Sequence, residues 1–250
     1  MNFKIIDFFA GIGGIRLGIE SAIYKNGDTS KCVFSSEIDK YAIQTYITNF
    51  GKTNFYGDIT NLKDDKNIKN IIPDFDILLA GFPCQPFSQA GLKKGFDDTR
   101  GTLFFWIEKI LKIKKPNAFL LENVKHLIHH DNGDTLRIIL KSIEDLGYFV
   151  TYKLMNSMNF KVPQNRERLI IVATRDRPFD FNGLSYTHKP VQLKSFLDKE
   201  GDFEFLDESE YTLIDNPKKQ DSGLIFVGYR NKGIWKTGIR PNTEHLSRAH

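Results

Sequence analysis

Three kinds of reactive side chain stand at the ends of apolar runs in this chain: a thiol, a carboxyl group and a pair of guanidinium groups. Cys84 lies in Gly81-Phe82-Pro83-Cys84-Gln85-Pro86-Phe87-Ser88, directly after the apolar run Phe75-Asp76-Ile77-Leu78-Leu79-Ala80. A thiolate is a strong nucleophile, and a nearby positive charge or helix start lowers the thiol pKa. On position alone a small buried hydrophobe is an equal alternative, since free cysteine is among the most buried residue types. Glu122 ends a second apolar run, Ala118-Phe119-Leu120-Leu121, where a carboxyl group can act as a proton donor. Arg166 and Arg168 alternate in Val162-Pro163-Gln164-Asn165-Arg166-Glu167-Arg168. On an extended segment they share a face and can hold phosphate or a base carbonyl. A surface pair with Glu167 is the alternative.

The elements that must position these groups follow a repeated plan. Lys4 to Phe9 reads as a buried first strand, Ala10-Gly11-Ile12-Gly13-Gly14 as a turn, and Ile15 to Tyr24 as an amphipathic helix. Small residues let backbone approach a ligand, and the helix start offers unpaired N–H groups. The spacing differs from the dinucleotide fingerprint G-x-G-x-x-G. Cys32 to Ser36 reads as a second strand ending in Glu37, a carboxylate that can accept ribose hydroxyls, with a plain exposed carboxylate as an equal alternative. Apolar residues at helical spacing follow from Asp39 to Phe50, then a third strand end at Tyr56-Gly57-Asp58-Ile59. The fourth strand delivers Cys84 on a rigid Gly/Pro turn, where ligands bind in open α/β sheets. Gln85 to Gly101 reads as a loop with glycine hinges, able to close over a site, with a plain surface loop as the alternative. Helices are expected over Thr102–Lys112 and Asp134–Leu146, and strands over Val150–Met155 and Leu169–Ala173. Residues 175–222 read as linker and irregular structure, with one short strand at Gly223–Val227.

The totals narrow the class. At 250 residues, with 40% hydrophobic and 26% charged residues, the chain can bury a sizeable core. No run of about 18 apolar residues suggests a membrane span, and the start does not read as a secretory signal. Cys32 and Cys84 do not make a disulfide framework, which suits a reducing cytoplasm. The net charge of +4 is a mild bias. Its placement says more: Lys93, Lys94 and Arg100 follow Cys84, and Arg230, Lys232, Lys236, Arg240 and Arg248 interleave with Tyr229 and Trp235. Such mixtures suit a phosphate backbone and stacked bases, although a solvated face is the commoner explanation for any one group. His126, His129 and His130 lack companion ligands at zinc-like spacing, so no metal is expected.

The set of motifs resembles the cytosine-C5 DNA methyltransferases. Asp7-Phe8-Phe9-Ala10-Gly11-Ile12-Gly13-Gly14 is similar to that family's cofactor loop, and Glu37 and Asp58-Ile59 fall where ribose and adenine contacts are expected. The Gly81–Ser88 stretch is similar to the catalytic turn, and Glu122-Asn123-Val124 and Gln164-Asn165-Arg166-Glu167-Arg168 follow in the family's order. The resemblance implies an α/β, Rossmann-like S-adenosylmethionine-dependent methyltransferase fold, with a mostly parallel sheet and helices on both faces. Residues 1–174 would form the catalytic and cofactor-binding domain. Residues 175–250 would hold a linker and an incomplete start of a target-recognition region.

The resemblance also implies roles. S-adenosylmethionine would meet Phe9, Ala10, Gly11, Gly13, Gly14, Glu37, Ile38, Asp58, Ile59, Gly81, Pro83 and Leu103. Cys84 would add as thiolate to C6 of cytosine, and protonated Glu122 would donate to N3. Arg168 would hold O2, supported by Arg166. Duplex DNA would be contacted by Gln85, Ser88, Lys93, Lys94, Arg100 and Arg166, with the target base flipped out. The family's late signature, Gln/Phe-x-Gly-Asn-Ser-Val, is not found; half of a split enzyme, a truncated form and a relic are the alternatives, and the expectation is that a second polypeptide supplies the missing part. Rival readings are a tRNA cytosine-C5 methyltransferase, a non-catalytic regulator, and a nicotinamide dehydrogenase. The last leaves Cys84, Glu122 and Arg168 without roles.

Overall fold

The computed structural model describes residues 1–51, 54–83, 103–186, 191, 195–198, 200, 201, 205–219, 225–230, 240 and 241. Contacts divide the chain into two units. The first is Met1–Leu154 with Arg168–Gly183, and the second is Met155–Glu167 with Leu184–His250.

The first unit is built on a seven-stranded sheet. Its strands are β1 (Asn2–Phe8), β2 (Thr29–Ser36), β3 (Phe55–Tyr56), β4 (Ile77–Gly81), β5 (Ala118–Val124), β6 (Phe149–Asn156) and β7 (Glu167–Thr174). The spatial order is β3-β2-β1-β4-β5-β7-β6. β1, β2, β3, β4 and β5 pair in parallel, and β7 runs antiparallel to β5. The order 3-2-1-4-5 is that of a doubly wound sheet, whose topological switch lies between β1 and β4. Successive residues Ile5, Ile6, Asp7 and Phe8 are all buried. Side chains alternate across a strand, so this continuous burial means that both faces of the sheet are covered.

The covering helices are α1 (Gly14–Lys25), α2 (Lys40–Phe50), α3 (Asp65–Ile71), α4 (Leu103–Lys114) and α5 (Asp134–Asp145). Asp39 begins α2 by accepting from the amides of Tyr41 and Ala42 at 3.0 and 2.8 Å, which satisfies two of the donors that every helix start leaves open. α5 buries Leu136, Ile139 and Ile143 at helical spacing. α3 was not legible in advance. It has seven residues, it buries only Ile68, and the Asp64 side chain that starts it accepts from the Asn67 amide.

In the second unit the stretch read as irregular contains β9 (Tyr211–Lys219), paired antiparallel with β10 (Ile225–Arg230). β8 (Phe205–Leu206) pairs with β11 (Arg240–Pro241). The expected strand at Gly223–Val227 is therefore found later, at Ile225–Arg230, as half of a hairpin. Sequence alternation is weak here because Asp215, Asn216 and Pro217 interrupt it.

Candidate active site

The glycine turn joins β1 to α1 at the switch point. Phe9, Gly11 and Gly13 all take left-handed φ values, of 52, 54 and 89°. A Cβ at Gly13 would overlap the ring of Phe50 and stand 3.1 Å from Tyr46 Cδ2. At Gly11 and Gly14 it would meet nothing within 4 Å. The turn is thus packed tightly on its inner side and open outward, as a cradle for a ligand must be. Gly13→Ala is expected to combine steric overlap with a left-handed backbone strain of about 1–3 kcal/mol. Thermal unfolding should show a fall in Tm of several degrees.

Glu37 is held against this turn. Its Oε2 accepts from the Gly11 amide at 2.8 Å, while Oε1 accepts from Ile38 and Asp39 at 2.7 and 3.0 Å. Oε1 is therefore occupied by the chain, and Oε2 keeps a lone pair beyond its one bond. Asp58 caps a short turn through Oδ1, which accepts from the Thr60 amide at 2.9 Å. Ile59 is buried in the core, so any contact that it makes with a ligand comes from its backbone. Ile38 is exposed beside Glu37, and Leu103 opens α4 half-buried.

Across the switch point stands Glu122. β4 and β5 pair Gly81 with Glu122. β5 and β7 pair Glu122 with Ile170, so Arg168, two residues along, lies diagonally on the same face. Arg168 Nε donates to Glu122 Oε1 at 2.8 Å, and both side chains keep about a quarter of their surface exposed, at 24 and 23%. That leaves the pair reachable from solvent. A Cβ at Gly81 would stand 3.6 Å from Glu122 Oε2 and 3.9 Å from the Phe9 carbonyl oxygen. The carboxyl group and the glycine turn therefore face the same small space at the tip of β4. Asn123 fixes that tip. Its Nδ2 donates to the Phe82 carbonyl at 2.9 Å, and its Oδ1 accepts from the Val124 amide.

Pro83 is the last described residue of the turn after β4, and it is exposed. Cys84, Gln85, Ser88, Lys93, Lys94 and Arg100 lie outside the described residues, as does the Gln85–Gly101 loop. Arg166 precedes β7 and belongs to the second unit, where its amide donates to Asn156 Oδ1 at 3.2 Å. It is not on the strand that carries Arg168. Among the described residues no group of three or more His, Cys, Asp or Glu is placed to hold a metal ion. Among them too, no helix is long and apolar enough to cross a membrane.

Residues 3–237 match the profile of the C-5 cytosine-specific DNA methylases. The chain belongs to that family. It is 47% identical over 245 residues to the Type II methyltransferase M.NgoBI of Neisseria gonorrhoeae, covering 98% of this chain and 72% of that protein. It is 59% identical over 179 residues to M.NlaX of Neisseria lactamica, covering 72% of this chain but 54% of the relative. The chain thus spans between about half and three quarters of the length of these two relatives. The fold resembles that of the S. pombe Dnmt2 methyltransferase, with a TM-score of 0.62 and 19% identity over 86% of this chain and 64% of that one. It also resembles a putative DNA modification methyltransferase of an E. coli prophage, with a TM-score of 0.63 and 22% identity over 87% of this chain and 62% of that one. The Rossmann-like, mostly parallel sheet expected from the family's motifs is borne out.

For three residues of this chain, Arg16, Tyr46 and Asn123, sequence reasoning gave no partners. Arg16 is a charged residue within an amphipathic helix, yet it is only 7% exposed. Tyr46 looked like one more apolar helix position. A buried arginine and a buried phenol each need polar partners, but sequence spacing does not say from where.

Proposed function

We infer that this chain carries the catalytic and cofactor-binding part of an enzyme that methylates C5 of cytosine in duplex DNA, working in the cytoplasm beside a restriction nuclease. Residues 1–174 supply the chemistry, and 175–250 begin the target-recognition region. The observation that carries this reading is the shared space at Gly81, which Glu122 Oε2 and the Phe9 carbonyl approach from opposite sides of the switch point. A proton donor and a cofactor turn so close together suit a reaction in which one ring is protonated and methylated on neighbouring atoms. The Type II methyltransferase names of the relatives support the substrate and the restriction context.

The residues present fit S-adenosylmethionine. The outward-open turn at Gly11 and Gly14 would receive it, Glu37 Oε2 would accept a ribose hydroxyl, and Asp58 and the Ile59 backbone would take the adenine edge. Bound there, it supplies an electrophilic methyl group. The chain's own groups prepare the base. Arg168 orients the flipped cytosine through O2. The Cys84 thiolate forms a bond to C6 while the Glu122 proton passes to N3, so negative charge does not accumulate on the ring. C5 becomes nucleophilic and is methylated. Loss of the C5 proton to a water molecule acting as base then expels the Cys84 thiolate, and N3 returns its proton to Glu122, which restores the aromatic ring and both side chains.

Ile12, Leu17, Ile38 and Tyr41 flank the glycine turn with 61 to 73% of their surface exposed. Apolar exposure around a ligand cradle supports a covering segment, and the family's late segments, on a second polypeptide, are the proposed cover. The test is tritiated methyl transfer to duplex DNA and to tRNA, by the chain alone and with such a partner. DNA methylation that rises on adding the partner is expected. Transfer to tRNA alone would replace the substrate reading. Full-rate, sequence-specific DNA methylation by the chain alone would remove the partner.

A further inference from the structure

Behind the glycine turn lies a buried polar cluster that the proposed chemistry does not use. The Tyr46 hydroxyl is its centre. It takes a hydrogen bond from Arg16 Nη1 at 3.0 Å, shares one with Ser35 Oγ at 2.7 Å, and donates to Asp7 Oδ2 at 3.3 Å. Cys32 Sγ lies 3.8 Å away and also meets Ser35 Oγ at 3.3 Å. One oxygen atom therefore ties β1, β2 and α1 to α2. Asp7, Ser35 and Arg16 are all buried, at 1, 0 and 7% exposure.

Each partner leads directly to a piece of the cradle. Asp7 is two residues before Phe9, where the backbone turns left-handed. Ser35 is two residues before Glu37. The Arg16 guanidinium lies 4.1 Å from the Phe50 ring centroid, and Phe50 is the ring that fills the space against Gly13. We propose that Tyr46 is a positioning residue for the cofactor, its hydroxyl setting the relative placement of the Phe9–Gly13 turn and Glu37, and that Asp7 makes this placement sensitive to charge. The inference rests on the cofactor reading above.

The groups that face Asp7 come from every neighbouring element: Tyr46 from α2, Arg16 and Glu20 from α1, and Glu37 after β2. Burial pushes the Asp7 carboxyl up to about 7, opposed by the Tyr46 hydrogen bond and Arg16 and helped by Glu20 and Glu37. Burial likewise pushes the Tyr46 phenol and the Cys32 thiol up, so both stay protonated. Asp7 is then the member of the cluster that changes charge near neutral pH. Ionised, it requires Tyr46 to donate to it and Ser35 to donate to Tyr46. Neutral, it releases that order.

S-adenosylmethionine carries a net positive charge, so an ionised Asp7 favours its binding, and binding in turn favours ionisation of Asp7. Cofactor affinity is therefore expected to rise with pH through about 7, and Asp7→Asn should flatten that rise. Folding stability moves the other way. Between about 4 and 7 the folded state holds a proton that the unfolded chain has lost, so stability falls as pH rises across that window and levels off above it. The gap in Tm between Asp7→Asn and the wild type should open in the mutant's favour over the same range.

The experiment is calorimetric binding of S-adenosylmethionine between pH 5.5 and 8.5, with thermal melts alongside. Tyr46→Phe keeps the ring and removes the oxygen, and it should bind about tenfold more weakly, the scale of one lost hydrogen bond. It should also move the pH slope to higher pH, because Asp7 loses the hydrogen bond that opposes the effect of its burial, a shift that an indirect loss of stability alone would not give. If Tyr46→Phe does not fold, Ser35→Ala is the second variant, with a weakening of about threefold expected. Wild-type affinity and an unchanged pH slope in the variant would overturn the inference and leave the cofactor reading standing. A wild-type chain that binds no S-adenosylmethionine would overturn both.

Discussion

Glu122→Gln is expected to lower methyl transfer by about 10²–10⁴-fold, the usual contribution of a positioned proton donor. The geometry makes this a clean substitution. Glutamine keeps a carbonyl oxygen for Arg168 Nε, which now donates to Glu122 Oε1 at 2.8 Å, and it keeps the volume beside Gly81. What it loses is the proton for N3. Both members of the pair are about a quarter exposed, so their attraction is screened and melting should change by no more than about 1 kcal/mol. Single-turnover transfer to DNA, paired with a filter-binding measurement, separates the two effects. Wild-type transfer in Glu122→Gln would mean that another group protonates the ring.

Cys84→Ser should be more severe still, with transfer lost by at least about 10⁴-fold, as is typical when an essential nucleophile is removed. A serine hydroxyl at neutral pH holds almost no alkoxide, whereas a thiol ionises far more readily. Pro83, which precedes Cys84 in the sequence, follows β4, the strand whose Gly81 pairs with Glu122. DNA carrying 5-fluorocytosine should trap the wild-type protein covalently and leave Cys84→Ser untrapped, which gel electrophoresis reads directly. Trapping of the serine variant at the wild-type level would place the nucleophile elsewhere in the chain.

Much of this was legible from residue types. The central strands are short runs of Ile, Leu, Phe and Ala, and their continuous burial marks strands covered on both sides. Glu37 and Glu122 each close such a run, and both stand at strand ends facing the switch point. Less legible were elements with little to bury. α3 packs a single isoleucine, and β9 is broken by polar residues and a proline, so neither has a hydrophobic period to detect. Arg168 lies on β7, which begins at Glu167, and Arg166 lies just before it.

Order along the chain was sufficient to decide the sheet class, the glycine turn and which carboxyl groups end which strands, because alternation, turn chemistry and strand-end position are local properties. It could not decide which groups meet. Arg168 reaches Glu122 because β7 runs antiparallel beside β5 and offsets the two by one diagonal step. Tyr46, Arg16, Ser35 and Asp7 converge because two strands and two helices close on one phenol oxygen. Those contacts join residues up to 46 positions apart (Glu122 to Arg168). They are set by strand pairing and by the need of each buried polar group for a partner, and neither is written in the spacing of any single segment.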